Sequence, residues 1–414
     1  MSPLFRPFLI FLVQGAWVAT FLTGCEDLMR QMPAGTDRMI QSGIGVGGAI
    51  LNRPKFSEAD EEKMAQENAR KFEHANKVWD DPLLDAYLGD IVQRLAAVAH
   101  PRPFTYSIRV VRDANINAFT FGGGALYVNA GLLARFDNEA QLAMVLGHEI
   151  AHVTESHVVR GIESNYNTQL LGQLAGQAAA ASGKIPLTPG VFNLTYEYSM
   201  KAALSGHGRS AESEADVIGL EYMVTAGYDP REAPRTFELL LKEYGDQGLV
   251  QNFFYGDHPT TKARIEKLTD LVQSKYSQDL EARTLIVNTA EFKQRTRELI
   301  VVVGQLDYER KRLKTATAMF EKALQVKQDE PVPHYWLGKI ALETGATDQA
   351  IAHLTTALKG ETKLVEAYRE LGLAYYKKRD KTKAIDAFEQ YLKVAPGAPD
   401  AGRIKKSIED LKRS

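Results

Sequence analysis

Apolar positions along this chain follow several patterns, and each predicts a different kind of structure. Phe8 to Thr23 is a continuous apolar run, interrupted by Gln14 before Thr20 and preceded by the positive Arg6. At 1.5 Å rise these sixteen residues reach roughly 24 Å, short of the ~30 Å hydrocarbon core of a bilayer. That length suits a secretory signal over residues 1–24 better than a permanent span. Residues 25–56 have little to pack and include the glycine-rich Ser42-Gly43-Ile44-Gly45-Val46-Gly47-Gly48, so they read as a tether. From Ser57 the period becomes helical. Ser57 is an N-cap for the acidic start Glu58-Ala59-Asp60-Glu61-Glu62, and helical pattern continues through Leu95. Tyr106 to Val111 alternates and is rich in β-branched residues, which predicts a strand, and Asn117 to Val128 reads as strand, glycine turn, strand. Helices are predicted over 139–160, over the small-residue stretch Thr168 to Ala181, and over Ser210 to Ala226, where Gly227 and Pro230 stop the last.

A longer period governs the C-terminal third. Gly304, Gly338 and Gly372 are 34 apart, as are Ala316, Ala350 and Ala384, and Phe320, Leu354 and Phe388. Ala323, Ala357 and Tyr391 continue the register. Small residues let two antiparallel helices approach, while Phe or Leu fills the gap between units. This resembles the tetratricopeptide repeat, a helix–turn–helix unit. Leu337-Gly338, Leu371-Gly372 and Pro396 match its signature, and the first unit departs from it with Asp307 where an aromatic is common.

Composition narrows the chemistry. With 44% hydrophobic and 25% charged residues, wholesale disorder is excluded. A net charge of -2 gives no electrostatic case for nucleic acid. The single cysteine excludes an internal disulfide framework and any Cys-based zinc finger, which leaves His and carboxylates as metal ligands. That cysteine, Cys25, follows Leu22-Thr23-Gly24 at the end of the apolar run. The segment resembles the bacterial lipobox, which implies lipidation of Cys25 and a tether to a membrane leaflet.

Three of the nine histidines lie between 148 and 157. His148 and His152 are i, i+4, so a helix places both imidazoles on one face, where they can share one Zn²⁺. Glu149 lies beside that face and can take a proton from water and pass it to a leaving amine. The pattern is His-Glu-x-x-His. A catalytic zinc wants a third protein ligand. Glu212 and Asp216 share a face of a second predicted helix, so Glu212 can ligate while Asp216 orients a ligand histidine. His157, nine residues from His148, points away on helical arithmetic, and His207 between two glycines reads as an ordinary loop histidine.

Taken together, His148-Glu149-Ile150-Ala151-His152 and Glu212-Ser213-Glu214-Ala215-Asp216 resemble the zinc metallopeptidase family that includes the CAAX prenyl endopeptidases, HtpX and BepA. Asn117-Ala118-Phe119, Gly123-Gly124, Val128 and Gly131-Leu132-Leu133 match a further segment of that family, with Gly122 where a proline is frequent. The resemblance implies zinc ligation by His148, His152 and Glu212, and Glu149 as base. His258-Pro259, followed by Arg264, matches a later motif; His258 would serve as a fourth ligand in a resting state, stabilise the oxyanion, or simply cap the next helix. Arg209 would pair with the acidic cluster or hold the substrate backbone. Ala125, Leu126, Tyr127, Val128 and Asn129 form a strand that, as an edge beside the metal, would pair with an extended client; inside a hairpin it would have no free edge.

The expected fold is mainly α: an α+β zincin-type metallopeptidase domain with a small β-sheet over 57–272, a helical linker over 273–296, an α-solenoid of about three tetratricopeptide repeats over 297–398 and a capping helix over 399–414. The resemblance is strongest to the BepA type, from which the lipobox departs. It implies a periplasmic, lipid-anchored endopeptidase with one Zn²⁺ per chain, at the inner or outer membrane. Its expected clients are misfolded or stalled outer-membrane proteins, with the outer-membrane assembly machinery a partner of the repeats. The alternative is a chaperone or assembly adaptor acting through its repeats, with gated peptidase activity.

Overall fold

The computed structural model describes residues 55–164, 187, 189–205, 207–245, 261–277, 280, 284–359 and 364–413. The chain divides into two compact units, Met1–Phe56 with Glu163–Pro186, and Ser57–Ile162 with Leu187–Ser414. Of the first unit only residues 55, 56, 163 and 164 are described; there the Phe56 amide donates to Glu163 Oε1 at 2.7 Å. Cys25 and the expected helix over Thr168 to Ala181 lie outside the described residues. All elements below belong to the second unit.

Helix α1 (Glu58–Ala75) starts at a capping box: Ser57 Oγ accepts from the Asp60 amide at 3.2 Å and Asp60 Oδ2 accepts from the Ser57 amide at 3.0 Å. Helix α2 (Pro82–Ala96) opens with proline, and Asp81 Oδ1 accepts from the Leu83 and Leu84 amides. A three-stranded sheet follows, made of β1 (Ser107–Val111), β2 (Ala118–Thr120) and β3 (Ala125–Asn129). Gly122, Gly123 and Gly124 turn between β2 and β3 at φ of +83°, +57° and +84°, a left-handed path that side chains rarely follow.

The strand order is β1-β3-β2, with β1 parallel and β2 antiparallel to β3. This corrects the reading of Ala125 to Asn129 as a substrate-binding edge. β3 is the inner strand, and its backbone is engaged on both sides. Residues 77–79 partly cover the outer edge of β1, where the Trp79 amide donates to Val110 at 2.7 Å. Among the described residues no strand pairs with the far edge of β2.

Short helix α3 (Ala130–Arg135) leads to α4 (Glu139–Thr154), which is buried along its whole length. Full burial explains why α4 reads as apolar nearly all round. Then come α5 (Pro189–Ser205), which the apolar pattern does not announce, α6 (Arg209–Thr225), α7 (Glu232–Gly245) and α8 (Thr261–Lys275). α4 packs most extensively on α6 and also lies across β2. At the α4–α6 crossing the two backbones nearly touch: a Cβ on Gly219 would come 2.6 Å from the His148 nitrogen, and one on Gly147 2.7 Å from the Gly219 carbonyl.

Helical pairs follow: α9 (Thr289–Glu309) with α10 (Leu313–Val326), α11 (Pro331–Glu343) with α12 (Thr347–Ala357), α13 (Val365–Lys377) with α14 (Lys381–Val394), then α15 (Ala401–Arg413). The 34-residue register has a direct physical basis. A Cβ on Gly304, Gly338 or Gly372 would meet Phe320, Leu354 or Phe388 at 2.7, 2.6 and 2.4 Å. The turn within each pair also repeats, with Lys311, Gly345 and Arg379 all left-handed. The linker expected over 273–296 takes a different form: α9 begins at Thr289 and runs without a break into the first pair.

One hydrophobic cluster contains Leu88, Val110, Leu146, Leu220 and Phe237 and continues through Phe292, Val303 and Phe320 to Leu337 and Ile340. The first helical pair therefore shares its core with the sheet-bearing part. A buried ion pair seals that junction. Arg135 Nη2 and Asp307 Oδ2 are 3.4 Å apart, with side chains 1% and 0% exposed. Lys322 Nζ adds bonds to the Arg135 and Phe136 carbonyls at 2.7 and 2.8 Å. Asp307 thus departs from the aromatic common at its repeat position because it faces Arg135. No helix among the described residues is long and apolar enough to cross a membrane.

Candidate metal centre

Three side chains from α4 and two from α6 converge in one buried pocket. The crossing at Gly147 and Gly219 allows it, because it brings residues one turn further along α4 against the start of α6. His148 Nε2 lies 3.0 Å from His152 Nε2 and 3.2 Å from Glu212 Oε2, and His152 Nε2 lies 3.6 Å from Glu212 Oε1. All three residues are buried. Tetrahedral donors at ~2.0–2.1 Å from a zinc ion would stand about 3.3 Å apart. The observed separations bracket that value, so the donor set fits such an ion.

The electrostatics agree. Burial disfavours a charge on His148, but hydrogen bonds and charges from Asp216 and Glu212 outweigh it and raise its pKa to about 10. His152 moves the other way, well below the usual histidine range, through burial and its histidine neighbours. Burial pushes the Glu149 carboxyl up to about 7, against the pull of His148. Burial would raise Asp216 too, but Arg264 and His148 outweigh it and hold the carboxyl at about 2.

Each ligand has a partner behind it. His148 Nδ1 faces Asp216 Oδ1 at 3.0 Å, and Arg264 donates to both Asp216 oxygens at 2.8 and 2.6 Å. Arg264 also lies over the Phe237 ring, 4.3 Å from its centroid. The His207 amide donates to Glu212 Oε1 at 2.8 Å, and the His207 ring sits 4.2 Å from the His152 ring. His152 Nδ1 faces His157 Nδ1 at 2.8 Å, and His157 Nε2 faces Glu214 Oε2 at 3.1 Å.

Two of these placements differ from the sequence reading. His157 does not point away. α4 ends at Thr154, Ser156 turns at φ +56°, and a new helical stretch starts at 157, so a rotation of 100° per residue cannot be carried from His148 to His157. The polar pair Glu155-Ser156 after the apolar run is the signal for that break. His207 sits at the rim rather than in a remote loop. Arg209, the first residue of α6, is exposed and makes no contact with Glu212, Glu214 or Asp216 among the described residues. The expected pairing is absent because Arg209 lies at the helix tip, outside the buried cluster. His258 lies outside the described residues.

Comparison with known proteins places this geometry in a family. Residues 82–272 match peptidase family M48, and residues 335–399 match the tetratricopeptide repeat. The putative beta-barrel assembly-enhancing protease of Vibrio cholerae is 33% identical over 177 residues, covering 42% of this chain and 36% of that protein. The mitochondrial metalloendopeptidase OMA1 of Arabidopsis thaliana is 31% identical over 198 residues, covering 48% of this chain and 38% of that protein. The metalloprotease LoiP of Escherichia coli is 26% identical over 258 residues, covering 61% of this chain and 92% of that protein. The chain thus spans under two-fifths of the length of the first two relatives. The chain carries a peptidase family M48 domain, and tetratricopeptide repeats follow it.

Proposed function

We propose that this chain is a zinc-dependent endopeptidase of the bacterial envelope. The observation that carries the reading is the convergence of His148, His152 and Glu212 in a buried pocket, with Glu149 buried on the same helix turn. Zinc held by those three donors would supply Lewis acidity toward a peptide carbonyl and lower the pKa of water. Glu149, pushed up to about 7 by burial, is poised to take a proton from the attacking water and return it to the departing amine as the peptide bond breaks. Asp216, held by Arg264, keeps His148 turned so that Nε2 faces the other ligands.

The finer reading rests on the sequence and on the relatives' names. Cys25 after the apolar run supports a lipid anchor facing the periplasm. The Vibrio cholerae relative is a putative beta-barrel assembly-enhancing protease, which supports β-barrel proteins in assembly as the source of clients, those misfolded or stalled among them. The tetratricopeptide repeats are the surface we assign to contact with an assembly partner.

The test is zinc content of the purified chain, with casein cleavage by the wild type and Glu149→Gln. One zinc per chain is expected in both, with cleavage reduced about 10²–10⁴-fold in the variant, the usual contribution of a general base. A chain without zinc would overturn the reading. Zinc in both with cleavage by neither would favour the adaptor reading, in which the repeats act and the peptidase is gated.

A further inference from the structure

His148 and His152 are supported in different ways, and His157, which stands behind His152, belongs to neither motif. A histidine that ligates through Nε2 must carry its proton on Nδ1. For His148 that proton meets Asp216. For His152 it meets another ring nitrogen, His157 Nδ1, at 2.8 Å. One of those two nitrogens donates and the other accepts. If His157 donated, neutral His152 would carry its proton on Nε2, where ligation needs a lone pair. His157 Nε2 would then turn a second lone pair on the Glu214 carboxylate, 3.1 Å away. If His152 donates, both conflicts vanish: His157 accepts at Nδ1 and donates from Nε2 to Glu214. Ligation at one end and the carboxylate at the other select the same direction.

We propose that His157 and Glu214 form a positioning relay that fixes the tautomer and ring orientation of His152. The inference rests on the metal-centre reading and adds to it His157, outside both ligand motifs, and Glu214, which lies within the second but was given no role there. The two supports differ in rigidity. Behind His148 stand Asp216 and Arg264, with side chains 1% and 3% exposed. Behind His152 the His157 side chain is 2% exposed, but Glu214 is 44% exposed and lies 3.8 Å from the exposed Arg160. The relay is therefore anchored in the core at one end and loosely held at the other, so His157 carries most of its effect.

The test uses the full chain and measures zinc affinity by competition with a chromophoric chelator. His157→Leu keeps bulk and removes the acceptor, while His157→Asn returns an acceptor oxygen near the place of Nδ1. His157→Leu is expected to weaken zinc binding about 10–100-fold, the usual cost of losing a partner behind a metal ligand. His157→Asn is expected to recover most of that loss. Glu214→Ala, at a half-exposed position, is expected to weaken binding by no more than about 10-fold, because solvent can replace the carboxylate. The visible spectrum of the cobalt(II) form is expected to change in His157→Leu and return in His157→Asn. Wild-type affinity in His157→Leu would overturn the relay, as would equal impairment in His157→Leu and His157→Asn. In both cases a wild type holding one zinc leaves the metal centre standing. A wild type that holds no zinc removes both readings.

Discussion

Gly147 and Gly219 decide how closely the two ligand-bearing helices approach. Neither stands out in the sequence, where each is one small residue inside a helical pattern. A methyl group on Gly219 would meet the His148 backbone, and backbone cannot rotate aside as a side chain can. Gly219→Ala is therefore expected to force the helices apart at an overpacking cost of about 1–3 kcal/mol. It is also expected to weaken zinc binding, because Glu212 moves with α6. Denaturant melts of the metal-free protein and chelator competition check the two effects separately. The residues that converge are legible to very different degrees. His148, Glu149 and His152 can be found because ligation from one helix imposes i, i+4 spacing, and Glu212 with Asp216 repeats that spacing on another. His157 escapes because the helix breaks before it, and His207 escapes because loop geometry leaves no period. Arg209 is the opposite case: proximity in sequence suggests an ion pair with the acidic cluster, which its exposed position at the helix tip does not provide.

At the scale of elements, α9 is the informative case. The repeat period is legible because each unit meets the same steric demand, a glycine under a Phe ring or a Leu side chain. The first helix of the first pair is harder to delimit, since no breaker separates it from the residues before it and Asp307 violates the repeat pattern. The violation is explained by the neighbour: Asp307 is fully buried against Arg135 on α3. Arg135 also bonds the Gly131 carbonyl at 2.7 Å, and Arg312 approaches Asp307 at 3.6 Å. Removing one partner leaves a buried charge without its counterpart, so Asp307→Leu is expected to destabilise the chain by about 3–5 kcal/mol. Arg135→Met combined with Asp307→Leu is expected to recover most of the loss. Chemical denaturation of the two single variants and the double variant measures the coupling. The inner position of β3 belongs to this scale too. Alternation identifies a strand but not its neighbours, so the inner position of Ala125 to Asn129 emerges only once the order is known.

Taken whole, the second unit has its main core on both sides of the point where the two family matches leave a gap, between residues 272 and 335. Periodicity reports which face of a helix is apolar, not which surface that face meets, so this continuity is invisible in the sequence. Phe292, Leu299, Ile300 and Val303 of α9 are all buried in the shared cluster. At about 1.5–3 kcal/mol each, exposing four such side chains amounts to a typical domain's whole stability of about 5–15 kcal/mol. A chain ending at Asn288 is therefore expected to be recovered only as aggregate. One ending at Leu358, which keeps α9 to α12, is expected to remain monomeric and to bind zinc. Size-exclusion chromatography with zinc analysis distinguishes the two.

The clusters beyond Ile340 are smaller and separate, one around Leu354 and one around Phe388 and Ile404. This partition sets a mechanical order. Under tension along the stack, the smaller outer clusters are expected to yield before the larger shared core. The buried Arg135–Asp307 junction carries the same tension but lies in the larger shared core, and is expected to hold after the outer pairs have let go. The outer repeats thus behave as a fuse, extending under tension while the pocket between α4 and α6 keeps its shape.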